Sequence, residues 1–206
     1  MKNPIPALLC SVLLLAGCGG DGDGDGAGPE STSGPIACIG DSLTAGIHCI
    51  GASYPSRLAA MTGRQVVNLG VGGATSADGV ARVSKALSHD PGAVCVLYGS
   101  NDPGHGVPAE RTLASIRSIV RACKDRGVAV VVATPPPTMS PHVNRNDRLR
   151  EIGDGIRAMG KEMGFPVVDL YAAVDADREK YLNPEDGLHL SDAGGDLFAK
   201  KFESKL

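Results

Sequence analysis

An open α/β fold, with helices on both faces of a five-stranded parallel sheet, is what this sequence predicts. Short apolar runs rich in Val and Ile recur along the chain, and amphipathic segments at helical spacing separate them. Turns rich in Gly, Asn and Asp follow the first three runs. Strands that read as continuous apolar runs are buried on both faces, which is the habit of parallel sheets in three-layer α/β/α proteins.

The elements follow in order. Pro35-Ile36-Ala37-Cys38-Ile39 supplies strand one over Ile36–Ile39, broken at once by the turn Gly40-Asp41-Ser42-Leu43-Thr44. Further strands are expected over Gln65–Leu69, Ala93–Tyr98, Val128–Ala133 and Pro166–Leu170. Leu113, Ile116, Val120 and Cys123 recur at intervals of three and four, as do Leu149, Ile152, Ile156, Met159 and Met163. Each set lines one stripe of a helix. Two more helices are expected over Ser76–Ser88 and Ser191–Lys205. Right-handed crossovers leave few topologies, and the flavodoxin-like order 2-1-3-4-5 is the reading adopted, with its switch point between strands one and three.

The 206 residues suit one domain plus an appendage. Residues 1–17 read as a lipoprotein signal peptide: Lys2 precedes an apolar stretch from Ile5 to Ala16, too short to span a bilayer. Its end, Leu15-Ala16-Gly17-Cys18, is similar to a bacterial lipobox. That resemblance implies lipidation of Cys18, attachment to a membrane through the anchor alone, and, with Gly19 next, delivery to the outer membrane. A plain secretory signal is the alternative. Residues 18–34 form a tether, since Gly20-Asp21-Gly22-Asp23-Gly24-Asp25-Gly26 has nothing apolar to bury and lacks the repeat of calcium-binding nonapeptides. Such a linker reaches roughly 20–24 Å. Residues 35–206 are the folded domain, read as a monomer.

Composition narrows the function. Setting Lys2, Asp21, Asp23, Asp25 and Glu30 apart from the 20 basic and 23 acidic residues leaves 19 of each. A near-neutral domain with 3% aromatics and no Trp has neither the charge nor the stacking surfaces for nucleic acid. Cys38, Cys49, Cys95 and Cys123 show no paired spacing; they read as buried thiols, with a disulfide at Cys49 left open. No zinc motif is present, and neither metal nor cofactor is expected.

Three strand ends carry chemistry. Strand one ends in Gly40-Asp41-Ser42, strand two in Asn68-Leu69-Gly70-Val71-Gly72-Gly73, and strand three in Gly99-Ser100-Asn101-Asp102. All three open at the carboxyl edge beside the switch point, where α/β proteins bind ligands. Ser42 needs a base, because a hydroxyl is a poor nucleophile at neutral pH. His89 reads as a surface helix end, while His48, His105 and His142 sit in loops that could line a cleft. None of these has an obvious orienting acid beside it. His189 has one in Asp186-Gly187-Leu188-His189, where a turn can set the carboxylate on one ring nitrogen and leave the other for the serine.

Together these segments resemble the SGNH, or GDSL-type, hydrolase superfamily. Gly40 to Ser42 match its Gly-Asp-Ser block, Gly73 its glycine block, Gly99 to Asp102 its Gly-x-Asn-Asp block, and Asp186 with His189 its Asp-x-x-His block. The resemblance implies the SGNH-hydrolase fold and a serine esterase with the triad Ser42, His189 and Asp186. It also implies an oxyanion hole from the N–H groups of Ser42 and Gly73 and the side-chain amide of Asn101. Gly-x-Ser-x-Gly, the elbow of the α/β-hydrolases, is absent from the chain.

Gly40 to Gly46, Ser53-Tyr54-Pro55 and Gly79 to Arg82 are most similar to the small periplasmic esterases with arylesterase, thioesterase and lysophospholipase activity. Ala74 departs from them, standing where they usually carry Asp. The expected substrate is a small-molecule ester of a short or medium acyl chain. A carbohydrate O-acetylesterase is the alternative, and a non-catalytic binding lipoprotein a third reading. Pro135-Pro136-Pro137-Thr138-Met139-Ser140-Pro141 is expected to wall the acyl pocket, with a stiff connector as the alternative.

Overall fold

The computed structural model describes residues 34–206 together with Met1. The signal and lipidation readings, including Cys18, and all of the tether but Gly34 lie outside the described residues. Five parallel strands, β1 (Ile36–Gly40), β2 (Val66–Asn68), β3 (Ala93–Leu97), β4 (Ala129–Ala133) and β5 (Val167–Val168), form one sheet of order 2-1-3-4-5. The expected topology is the observed one.

Side-chain alternation along the strands builds two cores. Ala37, Ile39, Val94, Val96, Val130 and Val132 face α3 (Ser76–Leu87), α4 (Ala109–Lys124) and α5 (Asn146–Met163). Ile36, Cys38, Cys95, Leu97, Val131 and Ala133 belong to the opposite core, with α1 (Ser42–Ala45), α2 (Tyr54–Thr62), α6 (Leu170–Asp175) and α8 (Asp192–Glu203). A short α7 (Arg178–Tyr181) leads toward α8. The predicted stripes are the buried ones: Ile116, Val120, Cys123, Ile152 and Ile156 are each inaccessible. Each such aliphatic side chain contributes about 1.5–3 kcal/mol relative to exposure. Cys38, Cys49, Cys95 and Cys123 are all free thiols, and Cys49 alone is partly accessible.

Four helices are not anticipated by periodicity. α2 runs Tyr-Pro-Ser-Arg-Leu-Ala-Ala-Met-Thr and buries only Tyr54, Pro55 and Leu58, too few for a clear stripe. It is held from outside itself: the Tyr54 ring stacks on Phe202 of α8 at 5.1 Å. α1, α6 and α7 are four to six residues long, below the length at which periodicity can be read. The fifth strand is shorter than expected because Asp169 caps α6, accepting from Ala172 N–H at 3.2 Å.

β1 and β3 are neighbours in register from Ile36↔Ala93 to Gly40↔Leu97, so they end level. Chain leaves β1 toward α1 and α2 on one face, and leaves β2 toward α3 on the other. The crevice between those departures is the switch point.

Candidate active site

Ser42 is placed by a strand that must stop. A side chain on Gly40 would collide with the Thr44 hydroxyl and the Leu97 carbonyl, so only glycine lets β1 pass this close to β3. Asp41 then caps α1, its carboxylate accepting from Leu43 N–H at 3.0 Å. Ser42 is the first residue of α1 and keeps 9% of its surface exposed.

The second half of the site comes from a loop 147 residues away in sequence. Leu182 and Leu190 pair as an antiparallel bridge that closes it. Inside, Asp186 accepts from the backbone N–H groups of Leu188 and His189 at 2.8 and 2.9 Å. Its other oxygen meets His189 Nδ1 at 2.8 Å. His189 Nε2 lies 3.1 Å from Ser42 Oγ. Burial opposes ionisation of Asp186, yet those two N–H groups and the imidazole outweigh it and hold the carboxyl below its ordinary range. A carboxylate on Nδ1 fixes the tautomer whose Nε2 accepts a proton, and this geometry lets a hydroxyl pass one across.

Gly187 enables that loop. Its φ is +67°, and a Cβ there would strike the Ser140 carbonyl. Met139 N–H donates to the Gly187 carbonyl at 2.7 Å, docking the Pro-rich segment beneath the loop. Pro135, Pro136 and Pro137 are buried, and through Met139 the segment supports the Asp186–His189 loop.

The glycine and asparagine segments meet each other. Gly73 has φ +75° and lies exposed. Asn101 donates one side-chain N–H to the Ala74 carbonyl at 3.0 Å, leaving its second for another acceptor. The residue that departs from the small periplasmic esterases thus joins the two segments through its backbone, whatever its side chain. Asp102 locks the arrangement from below. Fully buried, it accepts from Ser76 N–H at 3.0 Å, from the Ser76 hydroxyl at 2.5 Å and from the Thr112 hydroxyl at 2.8 Å.

Behind Ser42, Asp41 is wholly buried, and its second oxygen has no hydrogen-bond partner among the described residues. The Ser100 hydroxyl stands close enough to favour the charge but outside good hydrogen-bond geometry. Burial dominates, aided by Asp102, and pushes the carboxyl up to about 7.

Among the other histidines, only His48 packs on His189, its ring 5.2 Å away at a tilt of 56°. His105 Nδ1 meets the Asn101 carbonyl at 3.0 Å. His142 is held below the usual imidazole range by burial and by Arg145, with Asp186 opposing. His89 is exposed beyond α3. Sequence reasoning missed Asn183, buried at 5%, whose amide joins the two halves of the site: Nδ2 donates to the His48 carbonyl at 3.2 Å, and Oδ1 accepts from Glu185 N–H at 3.0 Å. Only Asn183-Pro184, a turn-forming pair, could have hinted at it. Among the described residues, no group of three or more His, Cys, Asp or Glu side chains is placed to hold a metal ion.

A parallel α/β sheet with a hydrogen-bonded Ser-His-Asp set at its switch point defines a hydrolase-like class. The model of the GDSL-like lipase/acylhydrolase family matches residues 38–197, and the chain belongs to that family, among the carboxylic-ester hydrolases. Solved structures agree with the fold. A G-D-S-L family protein from Desulfitobacterium hafniense shares 26% identity at TM-score 0.73, over 84% of this chain and 99% of its own. A lipase/acylhydrolase from Enterococcus faecalis shares 24% at 0.72, over 83% and 94%. An acetylxylan esterase from Geobacillus stearothermophilus, solved as a catalytic mutant, shares 21% at 0.69, over 85% and 94%. No curated protein sequence matches.

Proposed function

We propose that the chain is a serine esterase that cleaves carboxylic esters of short or medium acyl chains through an acyl-enzyme. The continuous contact from Asp186 through His189 to Ser42, 2.8 and 3.1 Å, carries this reading. Ser42 Oγ bonds to the ester carbonyl carbon while its proton passes to His189 Nε2. Asp186 stabilises the imidazolium so formed. The oxyanion is met by the N–H groups of Ser42 and Gly73 and by the free N–H of Asn101. Each such donor is worth about 10²–10³ in turnover. The carbon–oxygen bond to the alcohol then breaks, and His189 hands its proton to the departing oxygen. Water attacks the acyl-enzyme, gives a proton to His189, and the acid leaves as Ser42 regains its hydrogen.

Ile47 supports a modest acyl chain. It lies 42% exposed against Gly72, one residue from Gly73, where an aliphatic tail could rest. A second reading, deacetylation of carbohydrate, draws support from the cavity beside His189, whose lining includes Asn183 and Glu185, and from the acetylxylan esterase among the structural neighbours. Anchoring through a lipid on Cys18, with the domain held at the bacterial envelope, is part of the proposal; Leu15-Ala16-Gly17-Cys18 supports it.

Hydrolysis of nitrophenyl esters from acetate to decanoate, with Ser42→Ala as control, tests the proposal. Turnover falling from short to long chains, and abolished in the control, is expected. A control that keeps full activity removes Ser42 from its role.

A further inference from the structure

A cavity of about 570 Å³ opens beside His189, built by the loop after α1 and the loop that carries the Asp186–His189 pair. Neither oxyanion segment, around Gly73 or Asn101, contributes to its lining. That placement matters because the leaving oxygen must reach His189 Nε2 to be protonated. The alcohol half of an ester therefore extends toward the His189 flank, and the acyl half extends away from it.

The lining has a definite chemistry. Glu185 is exposed, and its carboxylate makes no hydrogen bond or ion pair among the described residues. Its backbone is fixed by Asn183, so the side chain leaves a rigid turn. The His48 ring is likewise without a hydrogen-bond partner among the described residues, and rests on His189. His48 has φ +54°, a left-handed conformation unusual outside glycine, and its carbonyl is held by Asn183. Strain kept at such a position is a mark of functional sites. Ile50, 46% exposed, supplies an aliphatic face. No lysine or arginine lines the cavity, and the nearby Arg57 is committed to Asp192 and Asp196.

We infer that this cavity is the leaving-group subsite and that it selects neutral, hydroxyl-bearing alcohols over phosphate-bearing ones. The inference rests on the esterase reading above. Glu185 accepts hydroxyl protons, His48 can donate or accept, and Ile50 covers the C–H face of a polyol. A phosphate in the same place would meet the charges of Glu185 and Asp186 with no lysine or arginine in the lining to offset them.

The test holds the acyl group constant. Wild type, Glu185→Lys, His48→Ala and Ser42→Ala are assayed on nitrophenyl acetate, ethyl acetate, 1-acetylglycerol and 1-acetylglycerol 3-phosphate. Wild type is expected to favour acetylglycerol over its phosphate by about tenfold or more in kcat/KM, the worth of one charged contact. Glu185→Lys should erase or invert that ratio, and added salt should narrow it by screening. His48→Ala should raise KM for acetylglycerol more than for ethyl acetate. Thermal melting confirms that each variant folds. A ratio identical in wild type and Glu185→Lys, alongside Ser42-dependent turnover of nitrophenyl acetate, overturns the subsite and leaves the esterase reading standing. Acetylglycerol binding no better than ethyl acetate also overturns it. Absence of Ser42-dependent turnover on every ester overturns both.

Discussion

Replacing Asn183 with Ala separates the two halves of the site without touching any reacting atom. Its side chain makes two hydrogen bonds, to the His48 carbonyl at 3.2 Å and from Glu185 N–H at 3.0 Å. Its backbone is also engaged, donating to the His189 carbonyl at 2.7 Å and accepting from Gly187 N–H at 2.8 Å. Alanine keeps the backbone bonds and loses the side-chain pair. Each net bond is worth about 0.5–1.5 kcal/mol, so unfolding free energy should fall by about 1–3 kcal/mol. The larger effect is positional. With the loop after α1 released, the 3.1 Å approach of His189 to Ser42 loosens, and misplacement on the ångström scale costs on the order of 10²-fold in turnover. Asn183→Asp retains the acceptor for Glu185 N–H but sets a carboxylate against the His48 carbonyl, so it should be no better than Ala. Urea denaturation gives the stability, and kcat on nitrophenyl acetate gives the positioning. An Asn183→Ala enzyme with unchanged kcat would show that the Asp186–His189 loop holds its place alone.

Further outcomes follow from single contacts. Asp186→Asn presents an amide N–H to His189 Nδ1 and so favours the wrong tautomer; kcat should drop about 10⁴-fold, as read by active-site-titrated rates. Burial pushes the Asp41 carboxyl up to about 7 in the folded protein, against about 3.9 for an unperturbed Asp, so stability should fall as pH rises between those values. Asp41→Asn removes that slope, and its advantage over wild type should grow from pH 4 to pH 8 toward a ceiling of about 4 kcal/mol, measured by urea denaturation at each pH. Phe202→Ala removes an inaccessible ring that stacks on Tyr54, and should cost about 3–5 kcal/mol in unfolding free energy while calorimetry still reports one cooperative transition.

What the sequence made legible depended on the range of the interactions involved. The buried strands were readable because a parallel strand covered on both faces needs apolar residues at every position, as in Ala93 to Leu97. Ser42, Asp186 and His189 were readable because turn residues and their chemistry sit within a few positions of each other. α2 was not, since its stability comes from Phe198 and Phe202, more than a hundred residues away. The contact of the Pro-rich segment with the Asp186–His189 loop was unreadable for the same reason. Pro135 to Pro137 looked like a rigid rim, whereas all three are buried, which depends on packing partners distant in sequence.

Asn183 and His48 show the sharper limit. Neither stands in a motif, and they meet through the Asn183 amide and the His48 backbone carbonyl, a contact that no side-chain pattern encodes. The motifs around Ser42, Asp186 and His189 place the groups proposed to react close together in sequence with their turn residues. The residues inferred to choose an alcohol lie outside those motifs, on the turn after α1 and the turn before Asp186. Selectivity on this scaffold is therefore expected to change through Glu185, His48 and Ile50 while Ser42, Asp186 and His189 stay fixed, because those three side chains can vary without disturbing a bond of the Asp186–His189 loop.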